Sequence, residues 1–117
     1  MAIKYMNISS QSSIINGIMI YEFSESINTP GDGDTWMLPD GAGKMNVALI
    51  TYFATLAQGN VEISNSPRDQ IKAGNARWQA WDKGVRNNTD DALVSSPFNA
   101  IKQHNDSGLT ILEVTIQ

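Results

Sequence analysis

The sequence predicts an all-β fold, a single antiparallel β-sandwich over residues 1–117 with about 7–8 strands in a jelly-roll-like or immunoglobulin-like arrangement. Three observations carry this expectation. Short runs rich in β-branched and aromatic residues recur through the second half, each cut off by Gly, Pro, Asn or Asp. The last of them, Leu109 to Ile116, alternates cleanly, with Leu112, Val114 and Ile116 pointing one way and Glu113 and Thr115 the other. A chain of 117 residues that is 41% apolar is also long enough for one core without staples, burying about two thirds of its unfolded surface.

From the N-terminus, Ile3 to Ile8 and Ile14 to Phe23 read as strands separated by the polar stretch Ser9 to Ser13. In the second run Met19, Tyr21 and Phe23 share one face and Ile18 and Ile20 the other. Both faces are then apolar in the middle of the run, which suits a central strand or one sealed by a neighbouring subunit. Asn28 to Gly43 is punctuated by Gly, Pro and Asp too densely for more than one short edge strand, placed at Thr35 to Leu38.

Met45 to Ala57 is open to two readings. Val47, Leu49, Tyr52, Phe53 and Leu56 would line a buried helix ended by Gly59, but the β-rich string Ile50 to Phe53 favours a strand. A turn at Gln58 to Asn60 would then fold Met45 to Leu56 against Val61 to Ser66 as a hairpin. Pro67 to Gly74 has room for one helical turn, with Pro early and Gly74 closing it. Ala76 to Trp81 and Phe98 to Lys102 read as further strands, each ended by a turn: Asp82 to Gly84 and Asn105 to Gly108 respectively.

Charge and composition exclude several classes of function. Eight Lys and Arg against twelve Asp and Glu give a net charge of −4, and the basic residues are scattered singly. No basic stripe is available to neutralise phosphates, so nucleic-acid binding is not expected. Without cysteine there is no disulfide, thiolate metal site or Cys nucleophile, and with His104 as the single histidine a structural zinc site is not expected either. No cofactor is expected. The N-terminal residues lack the apolar core of a signal peptide, and no apolar run approaches the roughly 20 residues of a membrane span. A soluble protein made in the cytoplasm is the expectation.

Each possible reactive site has a plainer explanation. Gly31 to Asp34, with Asp40 and Gly41, has the oxygen ligands that calcium requires, but Trp36 stands where a third ligand should be and no Glu ends the loop. Solvated turn chemistry accounts for it better. His104, Asp106 and Ser107 supply the residue types of a hydrolytic triad but lie nearly adjacent, whereas a triad needs a base reaching a nucleophile across the fold. Neighbouring Asp90 and Asp91 point apart in any extended chain, which argues against a carboxylate pair for glycoside cleavage. No phosphate-binding glycine motif is present.

The residues best suited to binding are aromatic. Trp78 and Trp81, three apart on one strand, project to opposite faces, so one can be core while the other meets a partner. Trp36, Trp78 and Trp81, with Tyr21 and Met37, are the candidate interface, since exposed Trp anchors protein contacts and sugar platforms alike. The alternative is that two of the three tryptophans simply fill the core.

Five segments carry a family resemblance: Gly59 to Pro67, Ala73 to Trp78, Trp81 to Val85, Pro97 to Lys102 and Gly108 to Val114. In this order they resemble small β-sandwich virion proteins of tailed bacteriophages, over roughly residues 59–117. There a strand, a Trp-bearing strand, a Pro-x-x-Ala-Ile-Arg/Lys strand and a Gly-x-x-x-Leu-Glu-Val strand follow one another. Lys102 stands where that pattern usually has Arg, which would weaken planar ion pairing.

The resemblance implies a non-enzymatic virion structural protein, foremost a capsid decoration or cement protein that bridges capsid subunits. A homo-oligomer bound to the major capsid protein or other virion proteins is implied with it. Assembly in the reducing bacterial cytoplasm and residence in the virion suit a chain without cysteine. A neck, tail or fibre component is the nearest alternative, and a carbohydrate-binding module using an exposed Trp is the rival from another class.

Overall fold

A computed structural model describes residues 2–10, 12, 19–43, 45, 47–95 and 97–116. Among these, eleven strands and one short helix form a β-sandwich: β1 (Ile3–Tyr5), β2 (Asn7–Ile8), β3 (Tyr21–Ile27), β4 (Gly31–Asp32), β5 (Thr35–Met37), β6 (Ala48–Phe53), β7 (Gln58–Ser64), α1 (Arg68–Lys72), β8 (Gln79–Ala80), β9 (Asp90–Val94), β10 (Ala100–Ser107) and β11 (Thr110–Ile116). Sheet A has the order β1-β5-β10-β7-β8, with β4 in line with β5 along β10, and sheet B the order β2-β3-β11-β6-β9. With β4 and β5 counted as one strand, β3 to β11 are arranged as 3-11-6-9 over 5-10-7-8, with every successive strand except β8 crossing to the other sheet, which is a jelly roll. Every pairing within that roll is antiparallel, and β1 adds to β5 in parallel.

Alternation explains the core. Leu112, Val114 and Ile116 of β11 face inward against Ala48, Ile50 and Tyr52 of β6 and Phe23 of β3, all buried. Phe23 stacks on Trp36 with centroids 4.2 Å apart, which joins the two sheets, and Tyr52 meets Trp81 edge-on at 6.1 Å. A second, smaller core lies outside sheet A, where α1 presses Ile71 onto Met37 and Ala100. That helix follows Pro67 and ends at Gly74, whose φ of 81° suits glycine.

Several sequence expectations are corrected. Met45 to Ala57 does contain a strand, β6, but it forms no hairpin with β7: β6 lies between β11 and β9, and β7 lies in the other sheet. The chain crosses between sheets at Ala54 to Ala57, with Leu56 at φ 58°. Gly59, read as a turn glycine, is inside β7, where a methyl group would run into the Tyr52 hydroxyl and the His104 carbonyl. Asn105 to Ser107 likewise extend β10 instead of turning, with a register irregularity between Asn105 and Ser107, and the reversal is left to Gly108 at φ 76°.

At the N-terminus, Ile3 to Ile8 divides at buried Met6, which sends β1 into sheet A and β2 into sheet B. Residues 14–18 of the next expected strand lie outside the described residues, and the observed strand starts at Tyr21 and runs on to Ile27. Its outward residues Glu22, Ser24 and Ser26 are exposed; of the residues expected to make both faces apolar, Ile18 lies outside the described residues and Met19 and Ile20 precede the strand. β5 is an inner strand held between β1 and β10, not an edge. Ala76 to Trp81 contributes only Gln79–Ala80 as strand.

Candidate functional site

Four surfaces or clusters bring together chemistry that the core does not need. The first is inside. Beyond Ile101, the inward positions of β10 become Gln103 and Asn105, and both are fully buried together with Thr110. Buried amides need partners, and all of these but Asn105 Oδ1 find them in a chain. The Glu25 carboxylate accepts from Asp34 N at 3.0 Å, Trp36 Nε1 at 3.1 Å and Gln103 Nε2 at 3.0 Å. Gln103 Oε1 accepts from Thr110 Oγ1 at 2.8 Å, and Asn105 Nδ2 reaches Thr110 Oγ1 and the Ile27 and Gly108 carbonyls. With both of its oxygens engaged by fixed donors, Glu25 ties β3 to β10 and to the β4–β5 bend; this geometry holds strands together.

The second cluster stands on the outer face of sheet A. Asp32 is bound by Lys102 Nζ at 2.9 Å and by His104 Nδ1 at 2.7 Å, while His104 Nε2 meets Asp106 at 3.2 Å. Burial pushes the Asp32 carboxyl up, but hydrogen bonds from Lys102 and His104 and their charge outweigh it and hold it below its ordinary 3.8. Lys102 is buried and lies 4.5 Å from the centre of the Trp78 ring, a cation–π contact. The Lys at this position thus keeps both an ion pair and an aromatic partner. Both His104 ring nitrogens face carboxylates, so neither is placed to take a proton from exposed Ser107, and no triad forms.

The acidic loop does not converge on a metal. Asp32 turns to Lys102 and His104, Asp34 to Lys4 at 3.0 Å, and Asp40 to Arg68 and Lys72. Lys4 and the Ala2 amide lower the Asp34 carboxyl against the upward push of burial, and Lys72 and Arg68 lower that of Asp40. Each carboxylate of the loop therefore has its own cation, and among the described residues no three acidic or His side chains gather as ligands.

The third feature is a groove of about 620 Å³ beside the β8 edge, lined by Asn65, Ser66, Pro67, Gln70, Asn75, Arg77 and Gln79. It is rich in amides. Trp78, the aromatic ring nearest in sequence, does not line it and carries the Lys102 ammonium over its ring.

The fourth is the outer face of sheet B. Leu49 on β6 and Leu93 on β9 are direct cross-strand partners, and they are 50% and 68% exposed. Val47, two residues before Leu49, is also exposed, and among the described residues β9 pairs with β6 alone and forms the edge of the sheet. Following the register from Leu49 to Thr115 and Glu22 leads to a shallow hollow of about 430 Å³ lined in part by Asn7, Glu22, Ser24 and Glu113.

The five candidate interface residues are not brought together on a surface. Trp36, Met37 and Trp81 are buried, Trp36 and Trp81 in the main core and Met37 under α1. Tyr21 is partly buried against the main core, and Trp78 packs on the outer small core. Trp78 and Trp81 do project to opposite faces, and two of the three tryptophans fill the main core. Of the exposed large apolar residues, the directly opposed pair Leu49 and Leu93 was legible in part. Once Ile50 and Tyr52 are assigned inward, Leu49 must face outward. No protein family, curated protein or solved structure matches this chain.

Proposed function

We propose that this protein is a non-enzymatic structural component of a bacteriophage virion, of the capsid decoration type, which attaches to capsid subunits through the outer face of sheet B. The observation that carries this reading is the Leu49–Leu93 pair: two large apolar side chains, directly opposed and exposed, with Leu93 on the strand that, among the described residues, forms the edge of sheet B. Apolar surface held on a flat, well-anchored sheet is suited to association, because little conformational entropy remains to be lost when a partner covers it.

A protein that binds only the assembled lattice stabilises it by mass action, and bridging neighbouring subunits adds avidity. The test is co-sedimentation with assembled shells of the encoding phage, with sizing of the free protein alongside. Retention on shells, lost in the L49S/L93S double variant, supports the reading. A protein that stays in the supernatant at every shell concentration overturns it.

A second reading, carbohydrate binding, is favoured by the amide-lined groove at Asn65 to Gln79. It predicts glycan-induced amide shifts at Gln70 and Asn75, and a broad glycan panel without such shifts removes it.

A further inference from the structure

We infer that the occupant of the sheet B face is a protein segment that carries an apolar side chain and a Lys or Arg about 14 Å apart on one face. This deepens the attachment reading above and rests on it for the choice of face. The strands of sheet B carry no cation of their own: none of the eight Lys and Arg lies in β2, β3, β6, β9 or β11. Its outward charges are Glu22, Glu113 and Asp91, all exposed, and among the described residues none of the three has an ion-pair partner. Asp90 of the same sheet is taken by Arg86 at 3.2 Å.

Register sets the spacing. Leu93, Leu49, Thr115 and Glu22 are successive cross-strand partners on β9, β6, β11 and β3. Three strand spacings of roughly 4.8 Å place Glu22 about 14 Å from Leu93. An extended segment lying across the strands covers that distance in about four residues, and the even spacing puts residues i and i+4 on the same face. A partner with Leu at i and Lys or Arg at i+4 would therefore seat its apolar group on Leu93 and Leu49 and its cation on Glu22 and Glu113. A second copy of this sheet fits poorly, because it brings no cation to these carboxylates and adds like charges to them.

The test is a titration of the isotope-labelled protein, followed by amide shifts, with two synthetic extended peptides. One has Leu at i and Lys at i+4; the other has Glu in place of Lys. The expected result is shifts confined to β3, β11, β6 and β9 with the Lys peptide and at least about threefold weaker binding of the Glu peptide, as a few exposed charge contacts allow. E22Q/E113Q should narrow the difference between the peptides, L49S/L93S should weaken both, and R77Q, in the loop before β8, should change neither. Equal binding of the two peptides, or shifts mapping to sheet A, overturns the inference. So does a dimer that L49S/L93S dissolves while the Lys peptide has no effect, since the occupant is then a second copy. Lys-selective binding here by a protein that ignores shells keeps this inference and discards the virion reading; shell retention without Lys selectivity does the reverse.

Discussion

Lys102 and Asp32, seventy residues apart in sequence, form a 2.9 Å ion pair in which the cation is the buried member, with its side chain 7% exposed against 32% for the carboxylate. The asymmetry sets the direction of two variants. D32A strands a buried ammonium whose remaining partner is the Trp78 ring, and should cost about 2–3 kcal/mol. K102M removes the buried charge and leaves Asp32 with solvent and His104, and should cost less, about 1 kcal/mol. Urea unfolding of both measures the order; equal losses would contradict it.

Acid should destabilise the fold through the same loop. Asp32, Asp34 and Asp40 all have folded-state carboxyls below their ordinary value of 3.8. Below that value the unfolded chain binds more protons than the folded one, so stability is full above it and is lost as pH falls through the folded values. The melting temperature should decline from about pH 5 to about pH 2, and D32N should flatten the decline. A profile unchanged by D32N would show that Asp32 does not contribute.

Gly59 is a packing glycine. G59A should cost about 2–3 kcal/mol by overpacking. Because the added methyl meets the His104 backbone carbonyl as well as the Tyr52 hydroxyl, Y52F should not restore the loss. Thermal melts of G59A and of G59A/Y52F test this, and rescue by Y52F would assign the clash to the hydroxyl alone.

The inner polar chain should behave as one unit. Q103L deprives Glu25 and Thr110 of partners and should cost about 2–3 kcal/mol. T110V removes the donor to Gln103, and the double variant should cost less than the two single losses added together. Strict additivity in a double-mutant cycle would mean that the two side chains do not share their stabilisation.

L49S/L93S should leave stability within about 0.5 kcal/mol, since both side chains are already exposed. A larger loss in chemical denaturation would show that these leucines support the fold and are not a free surface.

Strand content was legible wherever alternation was strict. Leu112, Val114 and Ile116 face inward as their spacing dictates, and Pro67 and Gly74 bracket the single helical turn. The ion pair of Lys102 was not legible, because nothing local links residue 102 to residue 32. The candidate surface was legible only by subtraction: an apolar residue at Leu49 signals exposure only after Ile50 and Tyr52 are known to fill the inside. Trp36 and Trp81 looked like anchors because tryptophan serves cores and interfaces equally well, and burial alone separates the two uses.

By itself, then, the sequence determined what is local. The two-residue period of an extended backbone, the stop signals of Gly and Pro, and a composition without cysteine already specify a small sandwich. Only the tertiary structure decided which sheet each strand joins, that Gly59 serves close packing and not a turn, and that Leu49 and Leu93 stand opposed and exposed on strands of sheet B that carry no Lys or Arg. Those outcomes depend on contacts between residues far apart in the chain, and such contacts form only when the two sheets close over a common core.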